Sequence, residues 1–290
     1  MKHLPVLLKE TIQFLAPCSN ENFIDATIGG GGHSLAILEK IKPKGKVLGI
    51  DWSLEAIAEL EQQKKNKLDI SSRLILVADN FINIAAIAHK LNFKPIHGIL
   101  FDLGLSTDIL ESKRGFSFKD NEPLDMRYNP KMTDLTASHI LNTASEKEIY
   151  YILKNFGEEK YSYKIAKTII FLRQKEPFTT TKQLKIAVIK ATKQNFNLKI
   201  LARVFQALRI VVNKELENLE KALDDSFNIL AENGRIVVIS YHSLEDRIVK
   251  NKFKQAKNFK ILTKKPIIPK EEEIKNNPRS RSAKLRAIKK

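Results

Sequence analysis

The sequence predicts an α/β protein whose parallel sheet is interrupted by an inserted helical domain, and three patterns carry that expectation. Strand and helix patterns alternate between Phe23 and Ser106, the rhythm of a parallel sheet with right-handed crossovers. The first strand breaks into a run of glycines, Gly29 to Gly32, before a helical pattern begins. The alternation stops at Lys113, and a buried-strand pattern resumes only at Gly234. At 290 residues, 43% of them hydrophobic, the chain has material for a sizeable core and an insertion within it.

The N-terminal stretch HLPVLLKETIQFLAP reads as a short extended lead-in from His3, then an amphipathic helix that ends before Pro17. FID (23–25) is a β-prone strand closing on an acid, Asp25. After the glycine turn, Leu35, Ile37, Leu38 and Ile41 share one side of a helix. Glycine suits such a turn because φ > 0 is open to it, and because backbone without Cβ can approach a bulky ligand. The helix N-terminus beyond it offers unpaired N–H groups. A dinucleotide fingerprint needs a third glycine, but the register Gly29-x-Gly31 ends on Ser34. That argues against a nicotinamide dinucleotide. It favours a nucleoside ligand without pyrophosphate, such as S-adenosylmethionine.

GKVLGID (45–51) is the second strand. Asp51 lies about twenty residues past the glycines, where an acid accepts ribose hydroxyls; the alternative is that it caps the helix beginning at Ser53. A charged helix over 54–67 leads to the third strand, SRLILVADNF (72–81), with Asp79 and Phe81 at its end. Phe81 either covers an adenine face or packs in the core. A helix over 82–91 precedes the fourth strand, IHGILFDLGLS (96–106). Ligands of such sheets lie beyond the carboxyl ends of the strands, so Asp25, Asp51, Phe81 and Asp102 belong on one rim.

From Lys113 to about Asn213 no strand pattern occurs. The loop KRGFSFKDNEPLDMRYNP (113–130) is longer than a plain connection. Helical patterns follow at 136–141, 147–156, 162–175 and 182–191, then a last long helix over about 202–232 ending at Gly234. GRIVVISYHS (234–243) reads as a buried central strand. KILTKKPIIP (260–269) and SAKLRAIKK (282–290) read as the arms of an antiparallel edge hairpin. The expected domains are therefore 1–112 with 213–290, and an insertion over 113–212.

The net charge is +17, and residues 247–290 hold sixteen Lys or Arg against three Glu. Clustering of this kind reflects either a Lys-, Ile- and Asn-rich composition or a surface that meets phosphates. Arg279, Arg281 and Arg286 are the forks suited to phosphate oxygens. No apolar run approaches a membrane span, and the N-terminal stretch lacks a signal peptide's apolar core. A single cysteine, Cys18, excludes an internal disulfide framework, and no Cys/His cluster has zinc spacing. The expectation is a cytoplasmic protein with no membrane partner and no metal.

Seven stretches, in order, carry a more specific likeness: HLPVLLKE, DATIGGGGHS, DLGLS, RGFSF with PLDMR, FQALRI with VNKEL, SYHSLEDRIVK and NPRSRSAKLR. Together the chain resembles the bacterial ribosomal RNA small-subunit methyltransferase H family, from His3 to near its C-terminus. Those enzymes use S-adenosylmethionine to methylate N4 of a cytidine in the decoding centre of 16S ribosomal RNA. The resemblance implies a class I methyltransferase (Rossmann-like) sheet with a helical domain inserted after the fourth strand. It also implies 16S ribosomal RNA, within the small ribosomal subunit, as partner. Carried over, the family's cofactor contacts fall on Gly31, Gly32, His33, Asp51, Phe81 and Asp102. A further contact, usually a glutamine, falls on Ile109, which offers only backbone or apolar surface. Lys199-Ile200-Leu201-Ala202 also departs from the family's usual His-Pro-Ala-Thr.

A sulfonium cofactor brings its own electrophile and leaving group, so the chemistry needs no metal. The acceptor is the harder partner, because the lone pair of a cytosine amine is delocalised into the ring. A site must accept the amine protons, favour pyramidal nitrogen and align it for in-line transfer. Asp102 and Ser106 are candidates for this. His242, with Ser243 at the end of the fifth strand, either takes the released proton or is structural; Ser243-x-Glu245-Asp246 also reads as a helix cap. A base amine must be unpaired or flipped out to be reached. Phe116, Phe118, Met126 and Arg127 are either a stacking surface for it or a hydrophobic plug. Two other classes compete: a nicotinamide oxidoreductase, which NAD binding would reveal, and a non-catalytic RNA-binding protein, which would not bind S-adenosylmethionine.

Overall fold

The computed structural model describes residues 4–65, 68–193 and 197–290; His3 lies outside them. Its strands are β1 (Phe23–Asp25), β2 (Val47–Asp51), β3 (Leu74–Ala78), β4 (Ile96–Asp102), β5 (Leu230–Ser240), β6 (Lys260–Ile261) and β7 (Lys284–Lys289). They form one sheet in the order β3-β2-β1-β4-β5-β7-β6. β1 to β5 run parallel, and β7 is antiparallel to both β5 and β6. The chain steps outward from β1 to β3, then returns to lay β4 on the other side of β1. The carboxyl ends of β1 and β4 therefore flank the topological switch point, where a crevice opens.

Apolar runs make these strands because both faces of the sheet are covered. Ile24, Leu48, Ile99 and Val238 face one buried cluster. Their neighbours Phe23, Val47, Leu100 and Val237 face the other, the alternation that a pleated strand imposes. Two glycines are packing requirements. A Cβ on Gly98 would lie 2.4 Å from the Phe23 ring, and one on Gly49 would lie 2.2 Å from the Ile28 side chain.

The chain divides into two compact units, one running to Ser106 and resuming over Leu216–Lys290, the other Thr107–Glu215. The long helix expected over 202–232 is two, Leu198–Asn213 and Glu215–Ile229, broken at Lys214 with φ 52°. β5 begins at Leu230, ahead of the expected Gly234, because its ladder slips between Ile96 and Gly98 of β4 and accommodates the Ala231–Gly234 stretch as a bulge. The expected antiparallel edge hairpin is present, with β6 paired to β7 at the sheet edge and Ile267 bridged to Leu285. β6 is only two residues long, and β7 lies between β5 and β6 with Leu285, Arg286, Ala287 and Ile288 buried.

Among the described residues of the second unit the helices are Thr107–Glu111, Ala137–Thr143, Glu146–Asn155, Ser162–Arg173, Thr181–Thr192 and Leu198–Asn213. The caps explain several of their starts: Thr136, Ser145 boxed with Glu148, and Thr180 boxed with Gln183. Asn197 accepts from the Lys199 and Ile200 amides, so the divergent 199–202 residues form the first turn of a capped helix. The 113–130 loop is internally packed. Phe116 is buried and stacks on Tyr128 with ring centroids 5.5 Å apart. Phe118 meets Phe205 edge-on, and Met126 is buried. Arg127 grips Asp125 at 2.7 and 2.9 Å. Burial opposes ionisation of Asp125, yet the Arg127 hydrogen bonds hold its carboxyl below the usual value. These groups hold the loop together, in place of the open stacking surface that one reading expected.

Candidate active site

The glycine turn is a left-handed bend, with Gly29 at φ 46° and Gly31 at φ 76°. At Gly31 the positive φ strains any other residue, and a Cβ would also push on the end of the Leu60 side chain, 2.9 Å away. Gly32 opens the helix Gly32–Lys40 and lies under Pro5, whose ring would be 3.1 Å from an added Cβ. The segment from Leu4 onward is thus packed onto the turn. It is tied down further: the Leu7 amide donates to Glu273 at 2.7 Å, and Asn277 donates to the Leu4 carbonyl.

Asp25 is fully buried at the end of β1, where it accepts the Ser34 hydroxyl at 2.7 Å. Burial raises its pKa to about 6, against the lowering effect of the Ser34 bond. Next to Ser34, His33 is buried with neither ring nitrogen hydrogen-bonded among the described residues. Its Nε2 lies 3.5 Å from Asp102 Oδ2. Orphaned polar atoms in a buried position call for a ligand or a proton partner.

Asp51 ends β2 and accepts the Gly29 amide at 2.8 Å and the Ser53 amide at 2.9 Å. It therefore braces the glycine turn, while the cap of the following helix falls to Ser53, whose Oγ accepts the Ala56 amide. Phe81 starts a short 3-10 turn beyond β3 and packs edge-on against Phe101, ring centroids 5.8 Å apart, partly buried against the core. Asp102 ends β4. Its amide donates to Thr27 Oγ1 at 2.6 Å, and its Oδ1 accepts the Tyr241 hydroxyl at 2.8 Å.

Tyr241 and Thr27 are the residues that sequence reasoning missed. Tyr241 lies 139 positions from its carboxylate partner, so no spacing could reveal the pair. Its one trace in the sequence is Gly104 of DLGLS, where a Cβ would be 2.9 Å from the Tyr241 ring. Burial, then the negative charge of Asp102, raise the Tyr241 pKa, so the phenol stays a donor. Glu245 holds the Tyr241 backbone, accepting its amide at 2.8 Å.

His242 is the N-cap of the helix Ser243–Gln255, its Nδ1 accepting the Glu245 amide while Glu245 reaches back to the His242 amide. Its Nε2 is 3.0 Å from Glu245 Oε1 but out of hydrogen-bonding alignment. Ser106 closes the first unit in a partly buried position. Ile109 belongs to the second unit, buried in the helix Thr107–Glu111 with its carbonyl accepting from Ser112. The rim of the first unit thus gathers Gly31, Gly32, His33, Asp51, Phe81 and Asp102. Among the C-terminal arginines, Arg279 and Arg281 are exposed. Arg286 is not: it is buried on β7 with its fork on Asp246 at 2.6 and 3.2 Å, which corrects its expected place on a phosphate surface.

A glycine turn at the switch point, acids at successive strand ends and an antiparallel strand beside β5 define a class I methyltransferase fold. A crystal structure of a candidate rRNA methylase from Clostridium thermocellum has this fold at a TM-score of 0.50 and 12% identity, matched over 99% of this chain and 98% of that one. The chain belongs to the MraW methylase family, whose model matches residues 1–290. Proteins called ribosomal RNA small subunit methyltransferase H are close in sequence. That of Sulfurihydrogenibium sp. (strain YO3AOP1) is 45% identical over 99% of this chain and 98% of its own length. That of Clostridium botulinum (strain Kyoto / Type A2) is 44% identical over 100% and 99%.

Proposed function

We propose that this protein is an S-adenosylmethionine-dependent methyltransferase that modifies N4 of a cytidine in the decoding centre of 16S ribosomal RNA. The observation that carries the reading is the full-length similarity to relatives named for small-subunit rRNA methylation, on a chain whose switch-point rim holds Asp51, His33 and Asp102. The buried His33 nitrogens, neither hydrogen-bonded among the described residues, and the carboxylates at the ends of β2 and β4 fit a cofactor made of a nucleoside and an amino acid. When bound, that cofactor supplies a methyl group on a sulfonium leaving group.

Gly31, Gly32 and His33 would face the cofactor from the turn, Asp51 would accept ribose hydroxyls, and Phe81 would bound the adenine side with its exposed edge. Asp102 has the acceptor role. Its carboxylate takes a hydrogen bond from the cytosine amine, which favours pyramidal nitrogen and stabilises positive charge as the new bond forms. Tyr241 fixes the direction of that carboxylate, and Thr27 holds the Asp102 backbone. Ser106 is the second acceptor. His242 has Nδ1 committed to its helix cap, so a proton could reach it only at Nε2, and we assign it first to holding the Tyr241–Ser243 loop. Ile109 contributes apolar surface. The Thr107–Glu215 unit serves substrate recognition. Among the described residues no helix is long and apolar enough to cross a membrane; the place of work in this reading is the cytoplasm, on the small ribosomal subunit.

The test is methyl transfer from labelled cofactor to 16S ribosomal RNA, offered naked and as assembled subunits, followed by nucleoside mass spectrometry. N4-methylcytidine is expected. A methyl group on another atom would refute the stated specificity, and no transfer to either substrate would refute the activity.

A further inference from the structure

A concavity lies within the first unit. It is a cleft of about 350 Å³ whose walls include Tyr241, His242, Ile268, Pro269, Arg281 and Lys284. Tyr241 is common to the cleft and the rim: its side chain lines the cleft, and its hydroxyl holds Asp102. The cleft is thus one side chain away from the carboxylate assigned to the reacting amine.

Its walls have two characters. Ile268 is 64% exposed, a large apolar side chain held open to solvent beside Pro269. Arg281 is exposed and forms no ion pair among the described residues. Lys284 lies 3.7 Å from Asp246, a carboxylate already gripped by Arg286 at 2.6 Å, so its charge is poorly neutralised. Two acids near these walls already accept backbone amides, Glu273 from Leu7 and Glu245 from Tyr241. The wall is also fixed in place: Ser280 is fully buried and donates to the Asn277 carbonyl, and Asn277 holds Leu4. Two cations beside an apolar face, in a space at the lower end of ligand-pocket sizes, match a phosphate attached to a ribose and base. An acidic peptide would satisfy the cations but leave Ile268 in water.

We propose that this cleft is a nucleotide subsite, which takes one nucleotide of single-stranded RNA adjacent to the methylated one. Its phosphate lies between Arg281 and Lys284, and its ribose or base lies against Ile268, which the buried Pro269 backs. Backbone charge supplies affinity and the apolar wall supplies a stacking face, the combination by which proteins hold single strands. The proposal rests on the reading of the protein as an RNA methyltransferase and adds where the strand runs.

The experiment measures anisotropy of a fluorescein-labelled single-stranded RNA of 16S sequence with the full-length protein across a salt series. Arg281→Ala should weaken binding several-fold and flatten the slope of log affinity against log salt by about 0.7, the share of one single-strand phosphate. Ile268→Ser should weaken binding several-fold with an unchanged slope. Lys221→Ala, an exposed residue paired with Asp225 elsewhere, should change neither, and S-adenosylmethionine affinity should stay as in wild type for all three. Wild-type affinity and slope in both cleft variants would overturn the subsite, even if methyl transfer is established. Loss in both variants with no methyl transfer by wild type would keep the subsite and overturn the enzymatic reading. A wild-type protein that binds no RNA overturns both.

Discussion

Tyr241→Phe isolates a single hydrogen bond at the candidate centre. The ring keeps its place over Gly104, and only the hydroxyl that donates to Asp102 Oδ1 at 2.8 Å is lost. Asp102 then retains the Gly104 amide at 3.4 Å as its remaining donor on that oxygen, too long to replace what was removed. A charge-assisted hydrogen bond in a largely buried place contributes about 1.5–3 kcal/mol. A water entering the gap recovers part of this. If the bond serves to aim the carboxylate in the transition state, the loss should appear as roughly ten- to a hundredfold in the methyl-transfer rate. Single-turnover transfer at saturating cofactor and RNA reads that step directly. Cofactor affinity by calorimetry and KM for RNA should change by less than about threefold, which separates positioning from binding. A merely structural hydroxyl would lower the denaturation midpoint and leave the rate of the folded enzyme intact. That result, or a Tyr241→Phe enzyme at the wild-type rate, would refute the positioning role.

Three further outcomes are expected. Asp51→Ala should weaken S-adenosylmethionine binding about ten- to a hundredfold, by losing roughly 1.5–3 kcal/mol of ribose hydrogen bonding; unchanged calorimetric affinity in a folded variant would remove Asp51 from the site. Asp25 has a folded pKa near 6, above its ordinary 3.8, because burial opposes its charge. Its favourable contribution is therefore complete below the ordinary value and is lost as pH rises through about 6. Relative to Asp25→Asn, the wild type should lose about 3 kcal/mol of unfolding free energy between roughly pH 4 and pH 7; parallel stability–pH curves for the two proteins would show that the carboxyl is not opposed by burial. Arg286→Ala should destabilise the fold by up to about 3–5 kcal/mol, because it leaves nearly buried Asp246 with only the Lys284 ammonium 3.7 Å away. Denaturant titration tests this, and wild-type stability combined with a flatter RNA salt slope would return Arg286 to the phosphate surface.

What the sequence by itself determined is the part of the protein encoded in short-range pattern. Two-residue and 3.6-residue periodicities marked the strands and helices from Phe23 to Asp102, because side-chain direction follows backbone geometry within a few residues. The glycine turn and the acids at Asp25, Asp51 and Asp102 were legible for the same reason: each is a local event at the end of a strand, and parallel strands bring their ends to one rim. The helical insertion was legible as the absence of strand pattern. What only the tertiary structure decided depends on which surfaces meet. Arg286 and Arg281 read alike in the sequence; one faces Asp246 inside the sheet and the other faces solvent. His242 read in the sequence as either a proton acceptor or a structural residue, and only the structure puts its Nδ1 on the cap of its own helix. Lys214, in the left-handed region, divides what a continuous helical pattern had joined. Tyr241 reaches Asp102 across 139 residues only because β5 is laid against β4. Burial and pairing are properties of packed faces, which a linear order of residues does not contain until the sheet has closed over them.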